Sequence, residues 1–302
     1  MSCDFQTTTH GKWILAGEHA VLRGHGALVF PLLDKKLTLQ HSNSDAAAFR
    51  MDIQMIGRDP NDMNALLKQL LDYGLPLLGQ TYANLKGHLL IQSTIPVGVG
   101  MGASAALCVA LARWFVAQQW LSEPDEYRLA RELENTFHGQ SSGLDIAGVS
   151  TAAGVYFQNG STASLTPTWS PKWQLTSCGQ QGPTADCISK VQTIWGSTPD
   201  EAQQLDLQMQ ASVVAAKQAL EQPYSPQSNQ QLIQAMHQAN DCFERWGLLT
   251  PNLHDHMQSL RQQGALAVKP TGSGGGGYVV SLWHEDVDTL ALSAQTSEEI
   301  TL

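Results

Sequence analysis

A chain of 302 residues, 42% hydrophobic and 15% charged, is long enough to bury one large core or two medium ones. Its formal charge of -10 offers no general positive field, which sets nucleic acid and acidic membrane surfaces aside as partners and requires any phosphate site to be local. With no secretory-type apolar run near the start and no stretch of about 18 apolar residues, a cytoplasmic location is the expectation.

In chain order, KWILAG (12 to 17) and ALVFPL (27 to 32) read as buried strands. Lys12, Glu18 and His19 lie on or beside the first of them, and charges on an apolar segment need a partner or a function. Taken singly, Lys12 or Glu18 reads as a strand-edge charge. DMNALLKQLLDYG (62 to 74) has helical spacing and stops at a glycine, and LKGHLLIQST (85 to 94) alternates as a strand.

IPVGVGMGASAAL (95 to 107) runs glycines 98, 100 and 102 directly into a helix expected over 103 to 120, with Leu107, Leu111 and Trp114 on one face. Glycines let the backbone approach a phosphate, and the first N–H groups of the helix point at the anion. The segment lacks the G-K-[ST] ending of a Walker A loop and the downstream carboxylate of a dinucleotide fold. A glycine turn with no ligand is the plainer alternative. Cys108 within the helix reads as a core residue, and the five cysteines, odd in number and without C-x-x-C spacing, argue against disulfides and structural zinc.

Ser122 is a candidate cap for a helix over 123 to 137. On that helix Glu134 shares a face with Ala130 and Phe137, so its carboxylate points inward, as a magnesium ligand would. Asp145 follows a Ser-Ser-Gly turn and is either a helix N-cap or a functional carboxylate. TPTWSPKW (166 to 173) reads as a crossing between two domains, residues 1 to 170 and 171 to 302. The second part predicts a strand at 173 to 177, helices at 184 to 195, 200 to 221, 228 to 246 and 252 to 263, and a strand, glycine loop and strand over 265 to 282. His254 and His256 in LHDHM fall on different helix faces and do not make a metal pair. In VKPTGSGGGGYVVSL (268 to 282) four successive glycines exceed what a hairpin needs, which points to a close-packed or ligand-contacting loop. The mixture of strands and helices without βαβ repetition predicts an α+β protein.

GKWILAGEHAVLRG, PVGVGMGASAA, HGQSSGLD and KPTGSGGGG, in this order, resemble the GHMP kinase superfamily of galactokinase, homoserine kinase, mevalonate kinase and phosphomevalonate kinase, most nearly its mevalonate kinase branch. The resemblance implies a ribosomal protein S5 domain 2-like N-terminal domain, a ferredoxin-like C-terminal domain, and transfer of a phosphoryl group from Mg-ATP to a small hydroxylated acceptor. For the mevalonate kinase branch the product is phosphomevalonate, on the route to isoprenoids. Phosphomevalonate kinase, another kinase of the superfamily and a non-catalytic binding member are the alternatives, and homodimers are common among such relatives.

Carried over by position, Gly98, Gly100, Gly102, Ala103, Ser104 and Gly274 would surround the ATP phosphates, and Ser104 and Glu134 would hold Mg²⁺. Asp145 would face the acceptor hydroxyl as base or orienting group, with Lys12 stabilising the developing alkoxide. Glu18, His19 and Thr184 would lie near the acceptor. Three positions depart from the pattern: Ala103 replaces a common serine, Ser141 stands where proline is usual, and Gly182 replaces an arginine two residues before Thr184.

Overall fold

A computed structural model describes residues 3–44, 49–56, 58–139, 141–180, 182–287 and 298–300. They form an α+β structure of two compact units interleaved along the chain. The first unit draws its described residues from 1–12, 31–97 and 101–152, and the second from 13–30, 98–100 and 153–302.

Strands β1 (Phe5–Ala16) and β2 (Ala27–Ser42) each contribute to both units. In the first unit the later part of β2 pairs antiparallel with β4 (His88–Ser93), Leu37 facing Ser93, and β4 pairs parallel with β3 (Arg50–Met55). Helices α1 (Pro60–Leu77), α2 (Ala103–Ala117), α3 (Glu126–His138) and α4 (Leu144–Ser150) complete it. The predicted stripe on α2 is buried, but so is almost every other side of the helix, from Ala105 through Ala112 and on to Trp114 and Phe115. A helix apolar all round lies inside its unit, and this one packs on both α3 and α4.

Two local expectations change. The α1 helix continues past Gly74 to Leu77, and a Cβ at Gly74 would stand 3.2 Å from Leu133 Cδ2, so this glycine admits a neighbouring side chain instead of ending the helix. Gly74 is not among the glycines of positive φ, the conformation in which a glycine at C′ commonly ends a helix. Ser122 does not cap α3: its hydroxyl donates to Asp125 at 2.6 Å across a short 3₁₀ turn (Glu123–Asp125), and α3 starts at Glu126.

In the second unit the start of β2 pairs antiparallel with β5 (Val155–Gln158), which pairs with β6 (Ser161–Ser164). A separate antiparallel sheet has the order β10-β7-β9-β8, from β7 (Lys172–Ser177), β8 (Ala267–Thr271), β9 (Tyr278–Trp283) and β10 (Glu298–Ile300). Helices α5 (Thr184–Ser197), α6 (Pro199–Glu221), α7 (Pro226–Arg245) and α8 (Pro251–Gln262) accompany it. Leu253, Met257 and Leu260 of α8 bury against Val268, Val279 and Trp283, while Trp13 stacks on Phe30 at 4.8 Å and meets Trp173 at 5.4 Å.

Candidate active site

The chemistry of the first unit begins on β1, whose Lys12 side chain is 2% exposed. An ammonium removed from water needs an anion, and Lys12 Nζ finds Asp145 Oδ1 at 2.8 Å. Asp145 sits in the first turn of α4 with a third of its side chain exposed; the N-cap is Gly143 at φ +85°, so the capping role considered for Asp145 falls to its neighbour. The Lys12 N–H also donates to Met101 O at 3.0 Å, which ties the strand to the glycine segment.

Gly102 caps α2 at φ +80°. Its missing side chain is a steric requirement, since a Cβ would stand 2.8 Å from Lys12 Cγ and 3.0 Å from Val149 Cγ1. Ala103 is buried in the first turn beside it, while Ser104 stays partly exposed where the unpaired N–H groups of the helix begin.

Glu134 projects from α3 into the interior at 1% exposure, as its helical face predicts. One carboxylate oxygen accepts from the Ser141 hydroxyl, whereas Oε1 is buried with no partner among the described residues. Burial, and after it the negative charge of Asp145, pushes the Glu134 carboxyl up to about 8. A buried carboxylate with an open oxygen suits a hard divalent cation, which would compensate the desolvated charge. Among the described residues no cluster of three or more His, Cys, Asp or Glu forms a cation site, so any ion here would need phosphate oxygens and water to complete its shell.

The second unit holds Gly98 and Gly100, both at φ +82°, against the second glycine loop. A Cβ on Gly100 would meet Thr271 O at 3.6 Å, and one on Gly277 would meet Val99 O at 3.0 Å. The neighbours of the first glycine segment are therefore Thr271, Gly272 and Gly277, whereas Gly274 lies against Leu248 and Phe243.

Glu18 and His19 follow β1 and are 3% and 6% exposed. Glu18 pairs with fully buried Lys269 at 2.6 Å, and the Lys269 ammonium also donates to Pro270 O and lies 5.2 Å over the Phe243 ring. His19 adopts φ +59°, places Nε2 2.9 Å from Ser273 O, and meets Phe243 and Trp246 edge-on. Burial lowers its pKa to about 4, so at neutral pH the ring is uncharged, Nε2–H is the donor to Ser273 O, and Nδ1 is the acceptor. Thr184 opens α5 and accepts from Ser273 Oγ at 3.3 Å, so Glu18, His19, Ser273, Thr184 and Lys269 form one neighbourhood.

At Gly182 a Cβ would fall 2.5 Å from the Gly275 carbonyl carbon, which leaves no room for arginine on this backbone. Lys269 and Ser273 escaped the sequence reading. The signal for Lys269 was present, a lysine between apolar residues in AVKPT, where the buried-charge argument used for Lys12 applies equally. Of the two histidines in LHDHM, His256 bonds the Thr176 hydroxyl at 2.7 Å and His254 is exposed.

Two family profiles match the chain: "GHMP kinases N terminal domain" over residues 65–153 and "GHMP kinases C terminal" over 216–296. The mevalonate kinase of Thermococcus sibiricus is 27% identical over 301 residues, covering 93% of this chain and 89% of that protein. The mevalonate kinase of Aeropyrum pernix is 26% identical over 289 residues, covering 91% and 87%. Among solved structures, L. major mevalonate kinase in complex with R-mevalonate superposes with a TM-score of 0.78 at 22% identity, covering 99% of this chain and 95% of that one. Streptococcus pneumoniae phosphomevalonate kinase with phosphomevalonate and AMPPNP gives 0.76 at 19% identity, covering 98% and 100%. Profiles that together span more than half of the chain, and a fold shared along its whole length, make this protein a member of the GHMP kinase family with its two-domain fold, and an ATP-dependent kinase.

Proposed function

We propose that the enzyme transfers the terminal phosphoryl group of ATP to the hydroxyl of mevalonate, giving phosphomevalonate and ADP for isoprenoid synthesis. The observation that carries phosphoryl transfer is the Lys12–Asp145 pair at 2.8 Å, a buried ammonium delivered to a partly exposed carboxylate. Asp145 orients the acceptor hydroxyl and takes its proton, while Lys12 stabilises the alkoxide that develops. In a loose transition state positioning and charge neutralisation contribute most of the catalysis. Gly102, Ala103 and Ser104 offer the backbone N–H groups of the α2 N-terminus to phosphate oxygens, and Gly98 and Gly100 of the same glycine segment are assigned to the phosphates with them. Gly274, packed against Leu248 and Phe243, is a phosphate contact by resemblance alone. Glu134 and Ser104 would hold Mg²⁺, which when bound neutralises charge on the phosphate oxygens.

Mevalonate as acceptor rests on the curated relatives of matching length, which carry the name mevalonate kinase. Glu18, His19 and Thr184 are its contacts on this reading. Charge pairing also favours an acceptor without phosphate: Lys269 is neutralised by Glu18 and Arg23 by Asp206, and Gly182 supplies no cation. The same reading places the enzyme in the cytoplasm, with a homodimer as its assembly.

A coupled assay of ADP release against mevalonate, phosphomevalonate, galactose and homoserine is expected to show turnover with mevalonate; no release with it overturns the acceptor. In the same assay Asp145→Asn is expected to lower kcat by about 10² to 10⁴, and unchanged turnover would remove Asp145 from the chemistry.

A further inference from the structure

Ser141 occupies the place where proline was expected, and every polar group it has is engaged. Its N–H donates to Asn135 Oδ1 at 2.7 Å, its carbonyl accepts from Arg131 Nε at 2.9 Å, and its hydroxyl donates to Glu134 Oε2 while accepting from the Gly143 N–H at 3.0 Å. Residues 131, 134 and 135 share one face of α3 by their spacing, and Gly143 is the N-cap of the helix that carries Asp145. Proline at 141 would have neither an N–H for Asn135 nor a hydroxyl for Glu134.

A serine hydroxyl has a single proton, and here it goes to Oε2 of a carboxylate at 1% exposure. That bond fixes the rotation of the carboxylate about its Cγ–Cδ axis and selects Oε1 as the oxygen with no protein partner among the described residues. We propose that Ser141 is a positioning residue that holds the Glu134 carboxylate with Oε1 presented to a divalent cation, replacing by a side-chain donor what proline could not supply. The inference rests on Glu134 as a cation ligand. A ligand-orienting hydrogen bond of this kind is typically worth about 10- to 100-fold in metal affinity.

The test is Mn²⁺ binding to the full chain in the presence of ADP, read from the electron paramagnetic resonance signal of free Mn²⁺, beside metal-free ADP affinity by calorimetry. Ser141→Ala is expected to weaken Mn²⁺ about tenfold with metal-free ADP affinity unchanged, and Ser141→Thr, which keeps a hydroxyl, to restore it. Asn135→Ala cuts the backbone tether but spares the hydroxyl, so it should leave Mn²⁺ affinity near that of the wild type. Equal losses in Ser141→Ala and Asn135→Ala, or a parallel loss of metal-free ADP affinity, would reduce Ser141 to a tether and overturn the proposal. If Glu134→Gln weakens Mn²⁺ and Ser141→Ala does not, the ligand assignment stands and the role of Ser141 fails; if neither does, the assignment itself is wrong. Should Ser141→Ala not fold, Ser141→Thr against Asn135→Ala carries the comparison, and Mn²⁺ weakened by Asn135→Ala alone overturns it.

Discussion

His19 carries two unusual properties at once, a positive φ on a residue with a side chain and an imidazole almost closed off from water. Its pKa of about 4 lies below the ordinary 6.5 because burial penalises the charged ring. Between those values the unfolded chain binds a proton that the folded one refuses, so stability falls as pH drops from 6.5 toward 4. The loss from this residue should reach about 2 kcal/mol at pH 5. Urea unfolding at pH 7.5 and pH 5 is expected to show a larger acid loss in the wild type than in His19→Gln, and identical losses would refute the burial argument. What could be read beforehand was that Lys12, Glu18 and His19 need partners, because charge on an apolar segment is visible locally. The partners were not: Lys269 meets Glu18 from the far end of the chain, and Ser273 does the same for His19. The obstruction at Gly182 is equally non-local, since it comes from the backbone of Gly275.

At the level of elements, α6 does more than cover the second unit. Asp206, Met209 and Gln210 lie on one helix face at i, i+3 and i+4, and each grips the turn from 17 to 26. Asp206 takes both Nε and Nη2 of Arg23, Met209 Sδ accepts from the Gly17 N–H at 3.2 Å, and Gln210 Oε1 accepts from the Gly26 N–H at 2.6 Å. That turn contains Glu18 and His19. Asp206→Ala should therefore raise KM for the acceptor several-fold while leaving KM for ATP near the wild-type value; a rise confined to ATP would show that α6 serves the other substrate. The longer helices were legible because each repeats its apolar residues over three or more turns, whereas α4, seven residues long, left only Asp145 to read as a possible cap. Strands β3, β5, β6 and β10 went unread for the opposite reason: they span three to six residues, and β6 is STAS, exposed along its length with no apolar residue large enough to mark a face. The termini of α1 and α3 were misplaced where a residue with capping chemistry, Gly74 or Ser122, was used for packing or for a side-chain bond.

For the molecule as a whole, local periodicity cannot announce that residues 13–30 fold with 153–302. Yet Trp13, Leu15, Val29 and Phe30 are all fully buried, Trp13 touches Trp173, and the Ile14 N–H donates to Thr271 Oγ1 at 2.7 Å. Residues 153–302 expressed alone lack these side chains and should show no cooperative thermal transition; a cooperative melt with the near-ultraviolet dichroism of the full chain would disprove that dependence. The interleaving also has a history in time. During synthesis residues 13–30 emerge on the order of ten seconds before Trp173 and β9 exist, so this apolar segment waits without its partners, exposed to chaperones and to other nascent chains. β1 is made early and fixed late, and a mutation that speeds aggregation of this enzyme in the cell should be sought there even when the finished protein tolerates it.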